Sequence, residues 1–183
     1  MSSTSAVRVA VGRRGAWTEI TDVSPAHNAS PHETLRRIHA ADLRESQQIR
    51  LRARSEAIAA GDDADSVAVF LDIEIWIADD ARTARREFAA SDSPAVPNSI
   101  RYVGTPSGLA GLIADIGAAE VADGVTLIPV GADTRVLAAV ALGVVSWLEK
   151  RGVVFSAAEP CARRCHIDLV IARDQQQHRI VVE

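Results

Sequence analysis

At 183 residues, with 48% hydrophobic and 24% charged side chains, the chain can bury one sizeable core and is too apolar for wholesale disorder. A formal net charge of -4 argues against a nucleic-acid surface built on bulk charge, and two cysteines are too few for a disulfide scaffold. No apolar run approaches the roughly 20 residues that cross a bilayer, and Arg8 interrupts the apolar start; a cytoplasmic protein without membrane or nucleic-acid partners is expected.

Residues 7–11 form a short β-like run ended by Gly12 and Gly15. Residues 16–23 (AWTEITDV) alternate as a strand, with Trp17, Glu19 and Thr21 on one side. Pro25, Asn28, Ser30 and Pro31 mark a loop, and Ser30 with Pro31 supplies a cap and a first-turn proline for a helix. One long helix is predicted from there to Ala60, with Leu35, Ile38, Ile49, Ala53 and Ala57 on its apolar face and Gly61 as its stop. Residues 67–77 (VAVFLDIEIWI) give the strongest strand signal in the chain, rich in β-branched and aromatic side chains. Asp79 and Asp80 then cap a helix to about Ala90.

Residues 91–99 read as a Ser/Pro/Asp loop. Tyr102, Val103 and Gly104 lead into a second cap-plus-proline start at Thr105 and Pro106, whose helix carries Leu109, Leu112, Ile113 and Ile116 at helical spacing. Gly124 opens a buried strand (VTLIPV), and residues 134–151 form the last helix before Gly152. Strands alternating with helices imply an α/β fold with parallel pairing through right-handed crossovers; a doubly wound sheet and a (β/α) barrel both fit.

The run IRYVGTPSGLAGLIADIGAAEVADGVTLIP, residues 100–129, resembles the C-terminal signature of luciferase-like flavin-dependent monooxygenases, in the branch of the nitrilotriacetate and long-chain alkane enzymes. The matching positions are Tyr102, Val103, Gly104, Thr105, Pro106, Ala122, Asp123 and Gly124. Residues 67–88 resemble the strand and acidic helix that precede that signature. The resemblance implies a partial (β/α)8, TIM-barrel-like fold over residues 1–155, and an oxidoreductase using FMN or a deazaflavin. Complete barrels of this kind take about 250 residues, and the flavin contacts of such relatives lie largely in the earlier part, which nothing here matches. The expectation is a truncated or degenerate form, inactive alone, to which no catalytic, cofactor-binding or metal residue is carried over. An alternative is a non-catalytic assembly module completed by a second copy or a full-length relative, since a partial barrel leaves sheet edges unpaired. A third reading is a separate small α/β binding domain.

Residues 156–183 depart from the family; residues 166–172 and 178–182 suggest a β-hairpin. Cys161, Cys165 and His166, with His178 as a distant fourth group, are the residue types that ligate zinc, but their spacing favours an incidental thiol pair. Asp72 and Glu74 share one face of their strand. Paired carboxylates suit acid–base chemistry, yet a buried ion pair with an arginine is the favoured reading; Glu19 and Thr21 pose the same choice. His27, His32 and His39 surround a loop and helix start, where a histidine on a catalytic rim can polarise an oxygen, against the commoner exposed histidine. The arginines from Arg36 to Arg54 alternate with acids, as on a solvated helix face, and the GRRG run at residues 12–15 reads as a basic turn rather than a phosphate loop.

Overall fold

A computed structural model of the protein describes residues 7–13, 16–22, 34–94, 96–130 and 134–155. Strands β1 (Arg8–Arg13) and β2 (Ala16–Glu19) pair antiparallel, with Arg13 opposite Ala16. There follow β3 (Thr34–Ile38), α1 (Leu43–Ala60), β4 (Val67–Ile77), α2 (Ala81–Ala90), β5 (Ile100–Gly104), α3 (Pro106–Ala118) and β6 (Gly124–Pro129). The last helix runs as α4 (Thr134–Ala139), a π-helical turn (Val140–Val144) and α5 (Val145–Glu149). No described helix is long and apolar enough to cross a membrane. The hairpin expected within residues 156–183 lies outside the described residues, as do His27 and His32.

The single long helix expected up to Ala60 is instead a strand and a shorter helix. Leu35 and Ile38, three apart, suit a helix face, but the segment pairs in parallel with Val67–Leu71 of β4. Its Thr34 and Leu35 are exposed while Ile38 is buried, so long-range pairing decides the conformation of a locally ambiguous run. The cap moves accordingly to Asp42, whose carboxylate accepts from the Glu45 N–H at 2.8 Å. β5 is likewise a full strand where the sequence marked only an approach to the next helix, and the β1–β2 ladder is antiparallel although parallel pairing was expected; the other ladders are parallel.

The sheet order is β2-β1-β6-β4-β3, with β5 also on β4. β4, eleven residues long, explains the branch. β6 pairs with Phe70–Ile75 along one edge, so both β3, opposite Val67–Leu71, and β5, opposite Ile73–Ile77, must occupy the other edge end to end. Among the described residues the sheet is open, a curled half-barrel with β2 at one side and β3 with β5 at the other.

The two faces differ sharply. One carries Val9, Val11, Val69, Leu71, Ile73, Ile75, Val125 and Leu127, and α1, α3 and α5 cover it with Ala53, Leu109, Ile113, Ile116, Val145 and Leu148 in one buried cluster. Each such aliphatic residue contributes about 1.5–3 kcal/mol by leaving water. α2 behaves differently: its Phe88 meets Trp76 edge-on at 5.8 Å and lies under the Arg101 guanidinium at 4.9 Å, and both residues belong to the opposite face. The chain moves from β3 to β4, back to β5, then forward again past β4 to β6. Right-handed crossovers require the connecting helix to change face whenever that direction reverses, which places α2 apart from α1 and α3.

Candidate functional site

The face away from the main core is built in rows set by the strand register. Arg8, Gly124, Phe70 and Arg37 form one row, and Ala10, Thr126 and Asp72 the next. Glu74 pairs with Arg101 and with Ile128 beyond them, and Trp17 and Glu19 come from β2. This face is concave. β2 and β3 are separated by three strands, roughly 19 Å on a flat sheet at about 4.8 Å per strand, yet the Arg37 guanidinium lies 6.0 Å from the Trp17 ring. Trp17 also packs on Phe70 of β4 with centroids 5.2 Å apart, and Arg8 lies over the same ring at 5.0 Å. Only a strongly curled sheet brings these groups together.

Gly124 makes room for this arrangement: a Cβ there would sit 2.5 Å from the Phe70 ring. Phe70 and Ala10 are fully buried, with Ala68 and Trp17 packed beside them.

The carboxylates on this face each take an arginine. Arg37 grips Asp72 in a two-point contact, Nε–H to Oδ1 at 3.0 Å and Nη2–H to Oδ2 at 2.6 Å; Asp72 is 1% exposed. Arg101 donates to Glu74 through Nε at 2.8 Å and to the Pro94 carbonyl at 2.7 Å. Arg8 holds Glu19 at 2.8 and 2.7 Å, and the Thr21 hydroxyl donates to the same carboxylate at 2.6 Å. The favoured reading of Asp72 and Glu74 as ion-paired structural acids therefore holds, and the partners that sequence could not name are Arg37 and Arg101. Both lie on strands flanking β4, so only the register identifies them.

His39 follows β3 at its C-terminal end, and its Nε2 lies 3.5 Å from Asp72 Oδ2 while 60% of the side chain is exposed. Thr126, fully buried in the row beside Asp72, has a hydroxyl without a hydrogen-bond partner. Cys161, Cys165, His166 and His178 lie outside the described residues. Among the described residues no cluster of histidine, cysteine and carboxylates suits a metal ion.

At the N-terminal end of the strands a second charged cluster serves architecture. Asp123 accepts from Arg50 Nε at 2.9 Å, Arg54 Nη2 at 3.0 Å and the Val69 N–H at 2.9 Å. It thereby ties α1 to the starts of β4 and β6. Burial opposes the charge on Arg54, but Asp123 and Asp65 outweigh it and hold its pKa above the ordinary arginine value. This corrects the expectation of a solvated helix face: Arg36 and Arg37 lie on a strand, and Arg50 is buried. Arg36 does remain an exposed pair with Glu56.

The Tyr102–Pro106 motif is also architectural. Thr105 caps α3 by accepting from the Gly108 N–H at 3.2 Å with Pro106 in the first turn. The Tyr102 hydroxyl donates to the Thr105 carbonyl at 3.0 Å, crossing so close to Gly104 that a Cβ there would meet it at 2.6 Å.

No protein-family model matches the sequence, and neither does any curated protein. Solved structures do match. A riboflavin lyase determined with a modified FMN and riboflavin is 18% identical with a TM-score of 0.58, over 70% of this chain and 41% of that one. A long-chain alkane monooxygenase is 16% identical at 0.55, over 68% and 38%. The EDTA monooxygenase of Chelativorans sp. BNC1 is 17% identical at 0.56, over 71% and 43%. The likeness shows the fold alone: part of a TIM-barrel-like sheet of mostly parallel strands and helices, as the sequence implied. The chain spans about two-fifths of the length of these structures.

Proposed function

We propose that this chain is the C-terminal part of a luciferase-like flavin-dependent oxidoreductase barrel, in a truncated or degenerate form that does not hold its flavin alone. The observation that supports this reading is the asymmetry of the match, 70% of this chain against 41% of a flavin-related enzyme.

The residues of the concave face do not fit a flavin. Trp17 and Phe70 pack on each other at a tilt of 51°, and Phe70 is buried, so neither offers an open plane to a ring. The arginines described on that face, Arg8, Arg37 and Arg101, are each committed to a carboxylate, so none is free to neutralise a phosphate. We therefore assign no reaction step to a flavin in this chain.

Titration with FMN, reduced FMN and a deazaflavin, followed by fluorescence, tests the reading. The chain alone should show no saturable quenching; binding with a stoichiometry near one contradicts the loss of the site. A second reading, an assembly module completed by a second copy or by a full-length relative, is favoured by the sheet edges that stay unpaired among the described residues, at β2 and at β3 with β5. Self-association by light scattering, or co-purification of a larger oxidoreductase, supports it; a thermally stable monomer without partners counts against it.

A further inference from the structure

The concave face contains one group that its own neighbours leave unsatisfied. Thr126 sits at the centre of the sheet on β6, in register with Ala10 of β1 on one side and Asp72 of β4 on the other. It is 0% exposed, and its Oγ1 has no hydrogen-bond partner. A buried hydroxyl in that state costs about 1–3 kcal/mol, and native proteins generally satisfy such groups, with ordered water where protein atoms fall short.

The surroundings suit a water. Ala10, the neighbour on the other side, carries only a methyl group and offers the hydroxyl no partner. Asp72 is the next residue across, on a neighbouring strand about 4.8 Å away, and it makes no direct hydrogen bond to Thr126. Its two oxygens accept from Arg37, one bond each, whereas a carboxylate has about four acceptor sites. Spare acceptor capacity and an unused donor thus occupy neighbouring positions of one row.

We propose that Thr126 and Asp72 bind a single ordered water molecule on the concave face, the Thr126 hydroxyl and the water completing a hydrogen-bonded chain to the Asp72 carboxylate. With His39 Nε2 3.5 Å from Asp72 Oδ2 and its ring open to solvent, this chain leads from the interior of the half-barrel to its C-terminal rim. The charged groups facing the water are Asp72 and, behind it, Arg37 and His39. The site is independent of flavin binding and stands whether or not the oxidoreductase reading does.

Thr126→Val separates the alternatives by sign. Valine has the same shape without the hydroxyl, so removing an unsatisfied group raises stability, whereas removing a water ligand lowers it. The bound water predicts a fall in Tm of about 2–4 °C, the response of a chain of this size to a loss near 1 kcal/mol. Thr126→Ser, which keeps the hydroxyl, retains the long-lived water seen by magnetic relaxation dispersion of water oxygen-17, and Thr126→Val loses it. An unchanged or higher Tm in Thr126→Val, or a relaxation signal that Thr126→Val leaves intact, overturns the proposal.

Discussion

Removing the Asp123 carboxylate should unfasten α1 from the sheet. In Asp123→Ala, Arg50 loses its 2.9 Å partner, Arg54 its 3.0 Å partner, and the Val69 N–H its 2.9 Å acceptor. The Arg50 side chain is 8% exposed, so its charge cannot be rehydrated cheaply. Breaking a buried pair by deleting one partner costs about 3–5 kcal/mol. Arg50 keeps weaker 3.3 Å contacts with the Glu120 carbonyl and carboxylate, which favours the lower end, about 3 kcal/mol. Urea unfolding followed by circular dichroism should show that loss with an unchanged slope, and Tm should fall by roughly 6–12 °C. Glu120→Ala is the control: its carboxylate is 72% exposed, and an exposed ion pair contributes about 0–1 kcal/mol. If Asp123→Ala matches that control, the latch does not stabilise the fold and the reasoning is wrong.

Other perturbations read different parts of the structure. Gly124→Ala adds a methyl 2.5 Å from the buried Phe70 ring and should destabilise by about 1–3 kcal/mol in the same unfolding assay through overpacking; wild-type stability would mean that the ring is free to move. Tyr102→Phe removes the 3.0 Å bond to the Thr105 carbonyl and should cost about 1 kcal/mol, measured by urea midpoint, because Leu109 N–H still satisfies that carbonyl. Asp80 caps α2, and bonds from the Thr83 and Arg82 N–H groups hold its pKa below the ordinary carboxylate value. A lowered folded-state pKa means that its stabilisation is complete above the unfolded-state value and is lost as pH falls through the folded one. Wild type and Asp80→Ala should therefore differ in urea midpoint at neutral pH and converge in acid; a constant gap contradicts the cap.

Much of the fold was legible because several segments agree locally with their final state. β4 spans residues 67–77 as its β-branched run predicts, and Asp80 and Thr105 cap the helices they precede. The buried Val136, Val140, Val144, Val145 and Leu148 match the apolar last helix. What was not legible depends on the register. Residues 34–38 carry a spacing compatible with a helix, and only pairing with β4 makes them a strand. Asp72 and Glu74 signalled a need for cations, but Arg37 lies 35 residues away and Arg101 27 away from their respective partners. Thr126 was hidden inside an apolar run. Trp17 was placed on one side of β2, but nothing local says that the sheet curls enough to bring it onto Phe70.

That curl is the feature on which the concave face and its neutralised arginines both depend. Proton–proton NOE measurements between assigned aromatic rings test it directly. The structure predicts strong cross-peaks between the Trp17 indole and the Phe70 ring, whose centroids are 5.2 Å apart. Their absence, with the indole seen only by its neighbours on β1 and β2, would mean a flat, open sheet and would contradict this account.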